Sequence, residues 1–182
     1  LDALLQPLAG FSVVHELRVS TEESRLDDTT AAQPLLFAVQ VAVTLLLREQ
    51  GIVPQAVTGH SVGEIAAAWA CGALGLEQAA RVICARSQAQ GLTRGRGRMA
   101  AVALSADALA SLLAELDLAD RVTIAGYNSP GNLTLSGDLE GLLQMQAHLQ
   151  PQGVFFRLLD LDYAFHGPCM DPIRDQVLHT LR

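Results

Sequence analysis

The 182 residues carry 19 acidic against 12 basic side chains, a net charge of −7, and half of them are hydrophobic. That balance disfavours nucleic acid as a partner, and so large an apolar share excludes a disordered chain and supplies a sizeable core. Three cysteines without C-x-x-C spacing suit a reducing, cytoplasmic setting and speak against a metal site, and no apolar run reads as the ~20 residues of a membrane span.

Leu1-Asp2-Ala3 has no start methionine and no basic n-region, so the chain reads as an internal cut from a longer polypeptide. Residues 1–28 turn from apolar to acidic. Thr29 and Thr30 are candidate caps of a helix that has Pro34 in its first turn. Its apolar stripe is Leu36, Val39, Val43, Leu46 and Leu47, and it ends at Gly51. Gln33 stands just before it and Gln40 reads as a surface amide inside it. Residues 52–58 form a short apolar run, broken by Pro54, and residues 65–70 read as helix. Between them lies Gly59-His60-Ser61-Val62-Gly63-Glu64.

A G-x-S-x-G pattern between strand and helix is the context of a nucleophile elbow. Small residues at 59 and 63 allow a tight turn that pushes the Ser61 hydroxyl outward. The Val62 amide and the positive end of the following helix then face whatever Ser61 attacks and could stabilise an oxyanion. A second helix is predicted over 76–90, with Ala79, Val82 and Ile83 as its stripe and Arg86 on the same face. An inward guanidinium must be paired, because a buried unpaired charge costs several kcal/mol. An internal carboxylate, a snorkelling geometry or a substrate carboxylate would each satisfy it.

The run Thr93-Arg94-Gly95-Arg96-Gly97-Arg98 reads as a flexible, solvated boundary more than as a phosphate-contacting loop. Strand 99–104, helix 106–116 capped by Ser105, strands 122–127 and 133–136, a helix capped by Asp138 and strand 154–159 follow. The order βαββαβ is the ferredoxin-like split unit, so an α/β chain is expected, with residues 97–160 as a small subdomain inserted between 1–96 and 161–182. A closing helix has Asp171 as cap, Pro172 in its first turn, and Ile173, Val177, Leu178 and Leu181 as its stripe.

Serine chemistry needs a proton acceptor that can later return the proton. His15, His148 and His179 read as surface residues and His60 as support for the elbow. His166 lies in a loop after a strand, where scaffolds present catalytic groups. Asp138 is better used as a cap, and neither Asp160 nor Asp162 stands out as a third member. A Ser61–His166 dyad with the imidazole oriented by a backbone carbonyl is the resulting expectation.

These motifs together resemble the acyltransferase domains of modular polyketide synthases, related to malonyl-CoA:acyl-carrier-protein transacylase. The similarity runs through Ala32-Gln33-Pro34-Leu35-Leu36-Phe37-Ala38-Val39-Gln40, the Gly59 to Glu64 turn with Ala66-Ala67-Ala68, Ala85-Arg86-Ser87, Gly97-Arg98-Met99-Ala100-Ala101-Val102, Tyr127-Asn128-Ser129-Pro130, Ser136-Gly137-Asp138 and Tyr163-Ala164-Phe165-His166. The resemblance implies an α/β-hydrolase-like large subdomain with an inserted ferredoxin-like one, the substrate lying in the cleft between them. It implies ping-pong transfer of an acyl group from coenzyme A through a Ser61 ester to the phosphopantetheine thiol of an acyl carrier protein, with neighbouring synthase domains such as a ketosynthase. No cofactor, metal, membrane or nucleic acid is implied. Arg86 aligns with the arginine that holds a malonyl carboxylate, and Gln33, His60, Tyr163 and Phe165 with residues of the substrate site. Val62 and the Tyr163-Ala164-Phe165-His166 motif mix malonyl and methylmalonyl patterns, with bulky Phe165 favouring malonyl. The family's G-Q-G-S-Q segment and its C-terminal part have no counterpart here, which implies a portion of the domain. Two other readings are a serine hydrolase or thioesterase on the same elbow, and a non-catalytic scaffold piece of a synthase.

Overall fold

The computed structural model describes residues 1–182 and divides into two compact units, residues 1–92 with 175–182 and residues 93–174. The expected boundaries at 96/97 and 160/161 are displaced because flanking residues are tied to the second unit. The Gly95 N–H donates to the Asp162 carbonyl at 3.0 Å, and Asp162 pairs with Arg98 and lies 3.7 Å from Arg94. Thr93 is fully buried, so this run is an anchored turn and not the solvated linker expected.

The first unit contains helices α1 (Asp2–Ala9), α2 (Val13–Glu16), α3 (Thr29–Glu49), α4 (Gly63–Ala70) and α5 (Leu76–Gly91). Asp28, not Thr29 or Thr30, caps α3, its carboxylate accepting from the Thr30 amide at 2.9 Å. Pro34 therefore falls inside the helix and so does Gln33. Leu5, Leu35, Phe37, Val41, Ile65 and Ile83 make the core. The stripe expected to face it, Leu36, Val39, Val43, Leu46 and Leu47, is 42–58% exposed. Apolar residues cover most of the α3 surface, so spacing alone does not say which side meets the core. Contrary to the sequence reading, α3 is long and apolar enough to cross a membrane by length and composition. Its inner side chains pack in this helical core, and a core helix passes the same test.

Residues 52–58 form no strand, with a bend at Gln55, and Ile52 and Val53 are exposed. The expected strand is thus absent for a simple reason: no strand lies in this unit for it to bond.

The second unit realises the βαββαβ order. Strands β1 (Arg98–Val102), β2 (Val122–Ser129), β3 (Asn132–Gly137) and β4 (Phe156–Leu158) form one antiparallel sheet in the order β2-β3-β1-β4. Helices α6 (Ala106–Glu115) and α7 (Leu139–Leu149) seal it, capped by Ser105 and Asp138 as expected. Ala100, Val102, Leu109, Leu133, Leu135 and Leu142 form its core. Asp138 also binds Arg121 through two bonds of 2.7 and 2.9 Å, and this partner holds its carboxyl below the usual range. At the C-terminus Asp171 and Pro172 lie in a 3-10 turn, Pro168–Ile173, after which the chain enters α8 (Arg174–Thr180), counted from Asp175 with the first unit. Of the expected stripe only Ile173 is buried, while Leu178 and Leu181 are exposed.

Candidate active site

The turn into α4 leaves no spare room at its first glycine. A Cβ at Gly59 would lie 2.4 Å from backbone atoms of Gly63 and Glu64, so a larger residue would force the turn open at the start of the helix. Gly63 is less constrained than its place in the pattern suggests, since a Cβ there would meet nothing closer than Gln40 Nε2 at 3.6 Å. Ser61 adopts φ 52°, a left-handed conformation unusual for serine. Backbone held this way costs about 1–3 kcal/mol and persists where the surroundings enforce it. The amides of Gly63, Glu64 and Ile65 bond the carbonyls of His60, Ser61 and Val62, whereas the Val62 amide takes no part in these bonds and precedes the first helical turn.

Ser61 meets Arg86 of α5. One guanidinium nitrogen, Nη2, donates to Ser61 Oγ at 3.1 Å and the other, Nη1, donates to Gln33 Oε1. Both acceptors are neutral. Arg86 is half-buried, and burial lowers its pKa, with the charge of Glu64 working in the opposite direction. A cation held this way keeps further N–H groups for an anion. Gln33 is buried, its Nε2 donating to Thr29 Oγ1 at 2.5 Å and to Gln90 Oε1 at 2.8 Å. Thr29 and Gln90 are members of this network that the sequence reading missed. Each sits four residues from a flagged position on the same helix, Thr29 before Gln33 and Gln90 after Arg86, so helical spacing was the available signal.

His60 turns elsewhere. It is exposed and lines a groove of about 520 Å³ with Val39, Gln40, Val43 and Ala66, on a side that takes in none of Ser61, Gln33 or Arg86. Gln40, read as a surface amide, has its Oε1 buried without a partner. Cys84 is no competing nucleophile, because burial pushes its thiol up to about 11.

The remaining expected site residues belong to the second unit. Tyr163 is buried and its ring stacks on Phe165, with centroids 4.9 Å apart and planes 8° from parallel. His166 follows at φ 59°, the same unusual backbone region as Ser61. The loop that carries it is pressed onto the sheet where a Cβ at Gly97 would come within 2.8 Å of the Ala164 side chain. Asp162 is committed to Arg98 and Arg94, and Asp160 is exposed.

The family model described as acyl transferase domain matches residues 1–182. The chain belongs to that family. Polyketide synthase GfsE of Streptomyces halstedii is 42% identical over 165 residues, 91% of this chain and 4% of that protein. Erythronolide synthase EryA3 of Saccharopolyspora erythraea is 37% identical over 180 residues, 99% of this chain and 6% of that one. Among solved structures, the acyltransferase domain from module 8 of the salinomycin polyketide synthase superposes with a TM-score of 0.89 at 36% identity, covering 98% of this chain and 42% of that one. The malonyl CoA-acyl carrier protein transacylase from Burkholderia pseudomallei gives 0.87 at 28%, covering 99% and 62%. The α/β fold of this chain is therefore the fold of those relatives, of which it spans a part.

Proposed function

We propose that this acyltransferase chain carries the loading site for a malonyl-type unit, taken from coenzyme A onto Ser61 and passed to the phosphopantetheine thiol of an acyl carrier protein in polyketide assembly. The observation that carries the reading is the Arg86–Ser61 hydrogen bond of 3.1 Å, made by a guanidinium whose two bonded partners are both neutral. A malonyl ester on Ser61 would project its free carboxylate a few bonds from Oγ, within reach of that cation. The bidentate pairing that guanidinium favours would then select dicarboxylic acyl groups.

In the proposed sequence the Ser61 hydroxyl gives its proton to the His166 imidazole while Oγ attacks the thioester carbon. The carbon–sulfur bond breaks, and the coenzyme A sulfur leaves with the proton from the imidazolium. The carrier thiol then gives its proton to His166 and attacks the ester, and Oγ takes the proton back as the carbon–oxygen bond breaks. The Val62 amide bonds the oxyanion in both halves. Arg86 uses a lone pair of Oγ, which leaves the hydroxyl hydrogen for the base. Phe165, fixed by its stack on Tyr163, favours malonyl over methylmalonyl, a distinction of ~1–3 kcal/mol for one methyl group. His60 supports the turn in this scheme, and a cytoplasmic site of action follows from its thioester substrates.

The test is transfer to a carrier protein by the complete domain containing this chain, with malonyl-, methylmalonyl- and acetyl-CoA, in the unaltered protein and in Arg86→Ala. Malonyl should be preferred, and Arg86→Ala should lower kcat/KM for malonyl roughly 10- to 100-fold, the worth of a hydrogen-bonded charge, while acetyl stays within a few-fold. Free acid released in place of carrier loading would instead support a hydrolase, and no turnover of any thioester would support a scaffold.

A further inference from the structure

Four polar side chains on two helices form a chain that ends at Arg86. Thr29 and Gln33 lie four residues apart on α3, and Arg86 and Gln90 four apart on α5, so two i, i+4 pairs face each other. Thr29, Gln33 and Gln90 are buried. The Gln33 amide is fully specified by this arrangement. Its two Nε2 hydrogens go to Thr29 Oγ1 and Gln90 Oε1, and its Oε1 receives Arg86 Nη1. Rotating the amide by half a turn would set oxygen against the Gln90 oxygen and NH₂ against the guanidinium, two repulsive contacts in place of two bonds. Of the two acceptors, the Thr29 hydroxyl can also donate and so tolerates either orientation. Gln90 Oε1 can only accept.

We propose that Gln90 is a positioning residue for substrate selection: by accepting from Gln33 Nε2 it fixes which end of that amide Arg86 meets, and so holds the guanidinium aligned beside Ser61. This rests on the reading of Arg86 as the carboxylate clamp. Gln90 itself touches no reacting atom. Its effect belongs to the binding of dicarboxylic acyl groups and not to the chemistry of acyl transfer in general.

The experiment compares Gln90→Met, which keeps the length and loses the acceptor, with Gln90→Glu, which keeps an acceptor. Each is placed in the complete domain and assayed with malonyl-CoA and acetyl-CoA. Gln90→Met should raise KM for malonyl-CoA, lowering the malonyl-to-acetyl ratio of kcat/KM about tenfold, as expected for misplacing one hydrogen-bonded charge, with kcat little changed. Gln90→Glu should stay within about threefold of the unaltered ratio. Side-chain amide NMR gives a readout independent of turnover: the Gln33 NH₂ should be protected from solvent exchange in the unaltered protein and in Gln90→Glu, and lose that protection in Gln90→Met. An unchanged ratio and unchanged Gln33 protection in Gln90→Met, with Arg86→Ala still collapsing the ratio, would overturn the role of Gln90 alone. If Arg86→Ala also leaves the ratio intact, the clamp fails and the role of Gln90 fails with it. Equal losses for both substrates in both Gln90 variants would mark a merely structural residue and likewise overturn it.

Discussion

The two units differ in how far they are closed by their own residues. In the second, every strand finds a neighbour within the unit, and the helices cover a core of fully buried residues such as Leu135 and Leu142. In the first, the helices share a core, yet one side of α3 shows Leu36, Val39, Val43, Leu46 and Leu47 to solvent, and residues 52–58 form no strand. A self-contained pattern can be read from sequence because each apolar position has its partner in the same stretch of chain. A pattern that meets no complement among these residues keeps the right residue types and shows an open face.

The sharpest break of this comparison comes from equal truncations on the two sides. Leu135→Ala should cost about 2–5 kcal/mol, the usual price of emptying a core leucine site, and Leu46→Ala should stay within about 0.5 kcal/mol as an exposed change. Urea unfolding of the complete domain measures both. A loss at Leu46 as large as that at Leu135 would overturn the comparison. The elbow is the next test. Gly59→Ala puts a methyl 2.4 Å from backbone atoms of Gly63 and Glu64 and should destabilise by about 1–3 kcal/mol, with acyl loading falling further than stability as Ser61 shifts. Gly63→Ala, with its open surroundings, should be mild on both counts.

The smallest effect belongs to the cap of α7. Asp138→Ala should cost about 1 kcal/mol, while Asp138→Asn, which still caps, should lose less. Arg121 holds the Asp138 carboxyl below its ordinary pKa, so its contribution is present above the unfolded-state value near 4 and fades as pH falls through the lower folded value. The stability difference between the native protein and Asp138→Asn should therefore shrink in acid and be flat at neutral pH. Denaturation midpoints measured from neutral pH into acid would show it.

What was legible in the sequence follows the same division. Ser105 and Asp138 as caps, the four strands and their order came from local signals, turn residues and alternation, which the sheet then satisfied. At the site, Ser61 and Arg86 were found from the glycine turn and from a charge on an apolar helical face, and the structure joins them through a 3.1 Å bond. The reason for Gln33 is not legible locally, because its bonding depends on Gln90, 57 positions away. The buried Gln40 oxygen and the outward stripe of α3 escaped for the reason that the absent strand did: periodicity marks an apolar face but does not say what meets it.

In the proposed function Ser61 carries a dicarboxylic acyl group beside Arg86. Intact-protein mass of the complete domain after brief incubation with malonyl-CoA, and separately with acetyl-CoA, tests it most directly, with Ser61→Ala alongside. A malonyl-sized adduct is expected that maps to Ser61, is lost in Ser61→Ala, and forms well ahead of any acetyl adduct. No malonyl adduct, or equal labelling by acetyl, would contradict it.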